Sequence, residues 1–349
     1  MLSGNEKSQQ ATNLLAYKLT AVRAIKCTQG LYPDPTAVVR RPTDKQGSSL
    51  FSRVNMYILS KAVKIDRIKI TGITLDKTLY SHARACFEVL KEDNPTQFNP
   101  VTAPYFYGLD LYAKDQKLAQ IGVGSTKEKH LFLSWELFPS HLGTNKELFQ
   151  QFNHFVTEVV GNFAAYETAY KNGKVRHIEV AKDFISVPLD SFLPHSPLTR
   201  KPYKDTTSKC KTTHYVGKDK FTIYDKKYQL EKEKNQSCDW SNLTRLEVEE
   251  HRTGLHPWEL HTLPNPFRWL ECADLAALQA IQDPQFKAWL SVAQNRGETF
   301  AMRGLTPYQR RKFRACLRQC PAHWWNPEKF WEKEWGKALQ AIDLQHLLQ

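Results

Sequence analysis

No apolar run in this 349-residue chain approaches the roughly 20 residues needed to cross a bilayer. The polar opening, Met1 to Gln10, lacks the apolar stretch of a secretion signal, so the expected location is the cytoplasm. There is no G-x-x-x-x-G-K-S/T phosphate loop, which argues against an NTPase or a helicase. No G-x-G-x-x-G follows a strand-like run, and no G-x-S-x-G elbow is present. No His-x-His pair occurs. Cysteines are few, odd in number and scattered: Cys27, Cys86, Cys210, Cys238, Cys272, Cys316 and Cys320. That pattern excludes a secreted disulfide framework. Cys316, Cys320 and His323 lack a second ligand pair at zinc-finger spacing, so structural thiols are the expectation. Internal repeats and low-complexity tracts are also missing.

What is present is positive charge. The net charge is +13, and a polyanion is the natural partner because each neutralised phosphate releases counterions. Hydrophobic residues make up 41% of the chain, enough for a folded core.

Residues 1–60, punctuated by Pro33, Pro35 and Pro42, read as an N-terminal arm or subdomain. The pattern sharpens at Ile65 to Thr71, which alternates as a strand does. A helix is expected over Leu79 to Leu90. Strands are expected over Tyr105 to Tyr112, Leu118 to Val123 and His130 to Leu137. Thr144 to Tyr170 carries a capping-box spacing and a long apolar stripe, which predicts a helix against a sheet. Val175 to Phe184 reads as a strand with His177, Glu179, Ala181 and Asp183 on one face. Either that face is solvated or it is a site.

Three short β-like segments follow between Thr212 and Arg252, with a charged, helix-like insert before the last. After His251 the chain turns helical. Thr306-Pro307 and Asn326-Pro327 each give an N-cap followed by proline at the first helical position. The first of these helices carries Arg310, Arg311, Lys312 and Arg314, the candidate DNA contacts. The tryptophans beside it are expected mainly to pack. The fold class is therefore α+β, a mainly antiparallel sheet flanked by helices and followed by a helical C-terminal region.

The Thr212 to Arg252 stretch resembles the rolling-circle replication initiators of small plasmids of Gram-positive bacteria. It also resembles the nicking replication protein of filamentous phages. The residues that carry the resemblance are His214-Tyr215-Val216-Gly217, Thr222-Ile223-Tyr224-Asp225-Lys226-Lys227 and Thr244-Arg245-Leu246-Glu247-Val248-Glu249. Upstream, His177 to Phe184 resembles the family's Arg-Leu-Asp-Leu-Ala-Phe-Asp-Phe. Trp135 to Pro139 resembles its Ile-Glu-Phe-Asn-Pro. The order agrees from about Leu131 to Arg252, roughly a third of the chain. Glu179 and His177 depart from the family's Asp and Arg.

The resemblance implies a nicking-joining domain over residues 61–252; the sequence itself sets a helical, basic C-terminal region, expected to bind DNA, over 253–349. The resemblance also implies Tyr224 as the nucleophile, attacking a phosphodiester to leave a free 3′-hydroxyl and a covalent 5′-phosphotyrosine. A tyrosine hydroxyl is a weak nucleophile at neutral pH and needs a base or a polarised phosphate. Glu136, Glu179 and Asp183 are the expected ligands of Mg2+ or Mn2+. Lys226 is expected to stabilise developing charge. Glu247 is a further ligand or the partner of Lys226 or Arg245. Tyr228 and Tyr215 are alternative nucleophiles. Expected partners are single-stranded or cruciform origin DNA and a host helicase and polymerase, with a homodimer possible and no membrane. Two alternatives stand beside this reading: a non-catalytic origin-binding or regulatory protein, and a conjugative relaxase or recombinase.

Overall fold

The computed structural model describes residues 62–93, 105–113, 116–125, 131–142, 171–195, 206–207, 213–216 and 220–341. Tyr57–Leu111 and Lys117–Gln349 belong to one compact unit. A second unit, Met1–Met56 with Tyr112–Gln116, lies almost wholly outside the described residues. The expected N-terminal arm and the helix expected over Thr144 to Tyr170 lie outside them too.

The fold is α+β. Its centre is a nine-stranded sheet with the order β2-β3-β4-β1-β5-β10-β9-β8-β7. The strands are β1 (Lys64–Thr74), β2 (Tyr105–Ala113), β3 (Gln116–Ser125), β4 (Leu131–Leu137), β5 (Lys174–Ile185), β7 (Thr206–Thr207), β8 (Thr213–Val216), β9 (Phe221–Asp225) and β10 (Leu243–His251). From β3 across to β7 the pairings are antiparallel. A small second sheet joins β6 (Phe192–His195) to β11 (Glu271–Asp274). Helix α1 (Lys77–Asp93) follows β1.

Strand alternation sorts β5 as its sequence requires. Ile178, Val180, Lys182 and Phe184 face an apolar core that also holds Ile68, Ile223, Leu246 and Val248. Two irregularities in β1 break its alternation. Near its end the register against β4 shifts between Ile70 and Ile73, where Gly72 takes φ +72°, a conformation costly for other residues. Near its start the register against β5 shifts between Ile65 and Arg67, and Asp66 is the extra residue. Such a bulge re-aims a side chain, and here it sets Asp66 beside Arg67.

Three longer helices complete the C-terminal region: α2 (Pro284–Arg296), α3 (Pro307–Gln319) and α4 (Pro327–Ala341). Both expected starts are present. Thr306 accepts from the Gln309 N–H and Gln309 accepts from the Thr306 N–H, with Pro307 at the first position. Asn326 caps α4 through the Lys329 N–H. Helix α4 covers the apolar face of the sheet. Lys182, fully buried, donates to Glu334 on α4, and Glu334 also accepts the Val63 N–H at 2.7 Å. The Lys182 ammonium lies 5.1 Å from the Phe330 ring centre. The tryptophans pack, as expected. Phe184 lies against Trp324 and Trp325, and Trp331 stacks on Trp335. Trp325 and Trp335 each donate their indole N–H to a backbone carbonyl.

Candidate functional site

The other face of the central sheet is polar. Register puts Asp183 opposite Arg245 and Arg245 opposite Tyr224. One rung along, Ala181 faces Glu247 and Glu247 faces Thr222. The next rung holds Arg67, Glu179 and Glu249 in a row, and the next holds Lys69, His177 and His251. Four strands thus deliver one continuous field of ionisable groups.

Tyr224 sits near the end of β9 and is 9% exposed. Its hydroxyl points into the polar field and donates to Glu247 Oε1 at 2.7 Å. The strand ends at Asp225, which caps a short helical turn through the Tyr228 N–H. Lys226 opens that turn, and its Nζ lies 3.4 Å from the Tyr224 oxygen and 2.6 Å from Gln229 Oε1. Burial, then the charge of Glu247, pushes the Tyr224 phenol well above its ordinary range. Burial, then Arg245 and Lys234, brings the Lys226 ammonium down to about 8. Burial raises the Glu247 carboxyl, against the pull of the tyrosine hydrogen bond.

Arg245 is the hub beside them. Its guanidinium grips Asp183 through Nε at 2.6 Å and Nη2 at 2.9 Å, and reaches Asp66 Oδ2 with Nη1 at 2.9 Å. Glu247 Oε1 lies 3.7 Å from Nη1. Burial works to raise the Asp183 carboxyl, but the Arg245 hydrogen bonds and charge outweigh it and hold it below the usual range.

Asp66, Glu179 and Glu247 form an all-oxygen group whose ligand atoms lie within 4.8 Å of one another. Burial, then the charges of Glu247, Asp66 and Glu249, pushes the Glu179 carboxyl up to about 7. Asp66 Oδ1 is buried without a hydrogen-bond partner, and Lys64 Nζ lies 3.9 Å from it. Crowded carboxylates with an unanswered oxygen suit a cation. A second group, His177, Glu249 and His251, lies further along the same face. These side chains could hold a metal ion. Neither group contains a cysteine, and Cys316 and Cys320 are free thiols.

Two of the three expected metal ligands lie outside the all-oxygen group. Glu136 lies on β4, and β1 runs between β4 and β5. Its carboxylate is paired with Arg67 and lies 3.6 Å from Lys69 Nζ. Asp183 is committed to Arg245. Glu179 alone stays in the oxygen group, joined by Asp66 and Glu247. Asp66 was missed because plain alternation turns it away from Arg67. The signal was there: Asp66-Arg67 puts two polar residues in succession within an otherwise alternating run.

Comparison with protein-family models and with curated proteins returns no match.

The alternative tyrosines are differently placed. Tyr228 is exposed on the helical turn after β9, not on the strand face. Tyr215 is half-buried on β8, opposite Thr222, and so shares the polar face two strands from Glu247. The candidate DNA contacts lie together on α3. Lys312 bonds Asp283 Oδ2 at 2.6 Å and Arg314 lies 3.8 Å from Glu298. Arg310 donates to the Met302 carbonyl, while Arg310 and Arg311 are both exposed.

Proposed function

We propose that the chain nicks and rejoins DNA at a replication origin through a covalent bond to Tyr224, as a rolling-circle initiator does. The observation that carries this reading is the Tyr224 hydroxyl bonded to Glu247, one of three clustered carboxylates on a polar sheet face. Tyr224 Oη bonds to phosphorus and its proton passes to Glu247 along the existing hydrogen bond. The bond from phosphorus to the 3′-oxygen breaks, and that oxygen takes a proton from water. The 5′-phosphate stays on the tyrosine. Joining runs the same steps backwards.

Lys226 steadies the charge that develops beside the phenolic oxygen. Arg245 holds β5 and β10 in register and keeps Asp183 ionised. Asp66, Glu179 and Glu247 are the residues that would hold Mg2+ or Mn2+, since hard cations prefer oxygen donors. When bound, such an ion polarises a phosphate oxygen and offsets the crowded negative charge. The exposed arginines of α3 supply phosphate contacts.

The test uses the full chain, Mn2+ and labelled single-stranded oligonucleotides tiling the DNA around its own reading frame. A covalent adduct should survive denaturation and map to Tyr224. Tyr224→Phe should abolish it. An adduct that persists in Tyr224→Phe, or maps to Tyr215 or Tyr228, rejects the assigned nucleophile. The low exposure of Tyr224 favours one rival, a DNA-binding regulator without covalent chemistry. That rival gives salt-sensitive binding and no adduct with any oligonucleotide.

A further inference from the structure

The His177, Glu249 and His251 group has no part in the chemistry above. His177 lies opposite His251 in the β5–β10 ladder, and Glu249 lies opposite Glu179. The two histidine rings meet edge to face at 4.5 Å between centres, with their Nδ1 atoms 3.1 Å apart. His251 Nε2 lies 3.0 Å from Glu249 Oε2. All three residues offer a ligand atom within 4.8 Å of the others.

We infer that His177, Glu249 and His251 bind a late first-row divalent cation of the Zn2+ type, at a site separate from the all-oxygen group. Two imidazoles and one carboxylate are a ligand set that Zn2+ accepts, whereas Mg2+ favours oxygen alone. Zn2+ holds nitrogen at about 2.0–2.1 Å, which puts two tetrahedral nitrogen ligands about 3.4 Å apart. The observed Nδ1 separation is close to that.

His177 is the fixed member. It is 8% exposed, its Nδ1 meets only another imidazole nitrogen, and its Nε2 is buried with no hydrogen-bond partner. Nδ1 is the atom that would coordinate, since it faces the other imidazole across the 3.1 Å gap, and Nε2 would then carry the ring proton. The other two ligands are free to close. The Glu249 side chain is 37% exposed and that of His251 is 61% exposed. Three protein ligands leave one position open, as in zinc sites that bind an exchangeable oxygen.

The test is made on the chelator-stripped full chain without DNA. Co2+ serves as the optical probe and Zn2+ as its competitor. One Co2+ per chain should give visible bands of a low-coordinate site with nitrogen ligands, displaced by Zn2+ and untouched by excess Mg2+. His251→Ala and Glu249→Gln should each weaken Zn2+ binding by about 100-fold, the upper end of what losing even a supporting partner costs. Asp66→Asn should leave Zn2+ affinity unchanged. His251 is exposed, so its variant keeps the fold, which far-ultraviolet circular dichroism checks. Undiminished Zn2+ affinity in His251→Ala overturns the inference, as does equal loss in Asp66→Asn or no Zn2+ binding at all. None of these readings depends on a tyrosine adduct, so this site and the nicking reading fail separately.

Discussion

Glu179 and Asp183 stand on one face of one strand, four residues apart, and their carboxyls are shifted in opposite directions. Asp183 has a guanidinium on both oxygens and is held ionised. Glu179 has carboxylates around it and is pushed up to about 7. The same alternation placed both residues, so the difference comes from their neighbours. An acid with its own arginine is scaffold. An acid crowded by other acids is poised for a proton or a cation.

The largest expected effect tests the scaffold half. Arg245→Met leaves Asp183 and Asp66 buried without their cation, and should cost about 3–5 kcal/mol in urea unfolding. A loss below about 1 kcal/mol would erase the distinction between the two acids. Next is the matched pair on the apolar face. Glu334→Gln strands the Lys182 ammonium and should cost about 3 kcal/mol, whereas Lys182→Met with Glu334→Gln keeps an acceptor for the Val63 N–H and should come within about 1 kcal/mol of the parent. If the double variant is no better than the single, the pair is not the cause.

Glu179→Gln tests the unmatched half. The Glu179 carboxyl is raised by folding, so the fold favours its proton. That contribution is whole below the unfolded value of 4.5 and is lost as pH rises through about 7. Solvent screening of this half-buried group trims the loss to about 1–2 kcal/mol. The parent should therefore lose stability between those limits, and Glu179→Gln should flatten that slope in melts across the range. The smallest effect extends the rule to cations. Arg311→Ala should lower the salt slope of single-strand binding by about 0.7, as one lost phosphate contact does. Lys312→Ala should lower it less, because its ammonium already serves Asp283.

The polar face of β5 was legible in its alternation, as were the caps at Thr306 and Asn326 and the packing role of the tryptophans. What β5 faces was not. Alternation says which side a residue takes, not which strand lies beside it. Glu136 looked like a ligand because its motif precedes Glu179 in the chain, but β1 comes between them with Arg67 and Lys69. Asp66 escaped because a bulge resets the count by one residue. Lys226 stands two residues after Tyr224, so a continuing strand would keep both on one face. The strand ends at Asp225, yet the first helical turn still brings the ammonium near the phenol.

The position of β1 has a consequence for synthesis. Asp66 and Arg245 are separated by 179 residues, and β1 fills its slot between β4 and β5 only after both have emerged. At ordinary translation speeds a ribosome needs roughly 10–40 s to cover that interval. During that time the nascent chain carries Asp66 with no Arg245 to answer it. The acids are thus assembled only after Arg245 has emerged, by a contact between residues 179 apart in the chain.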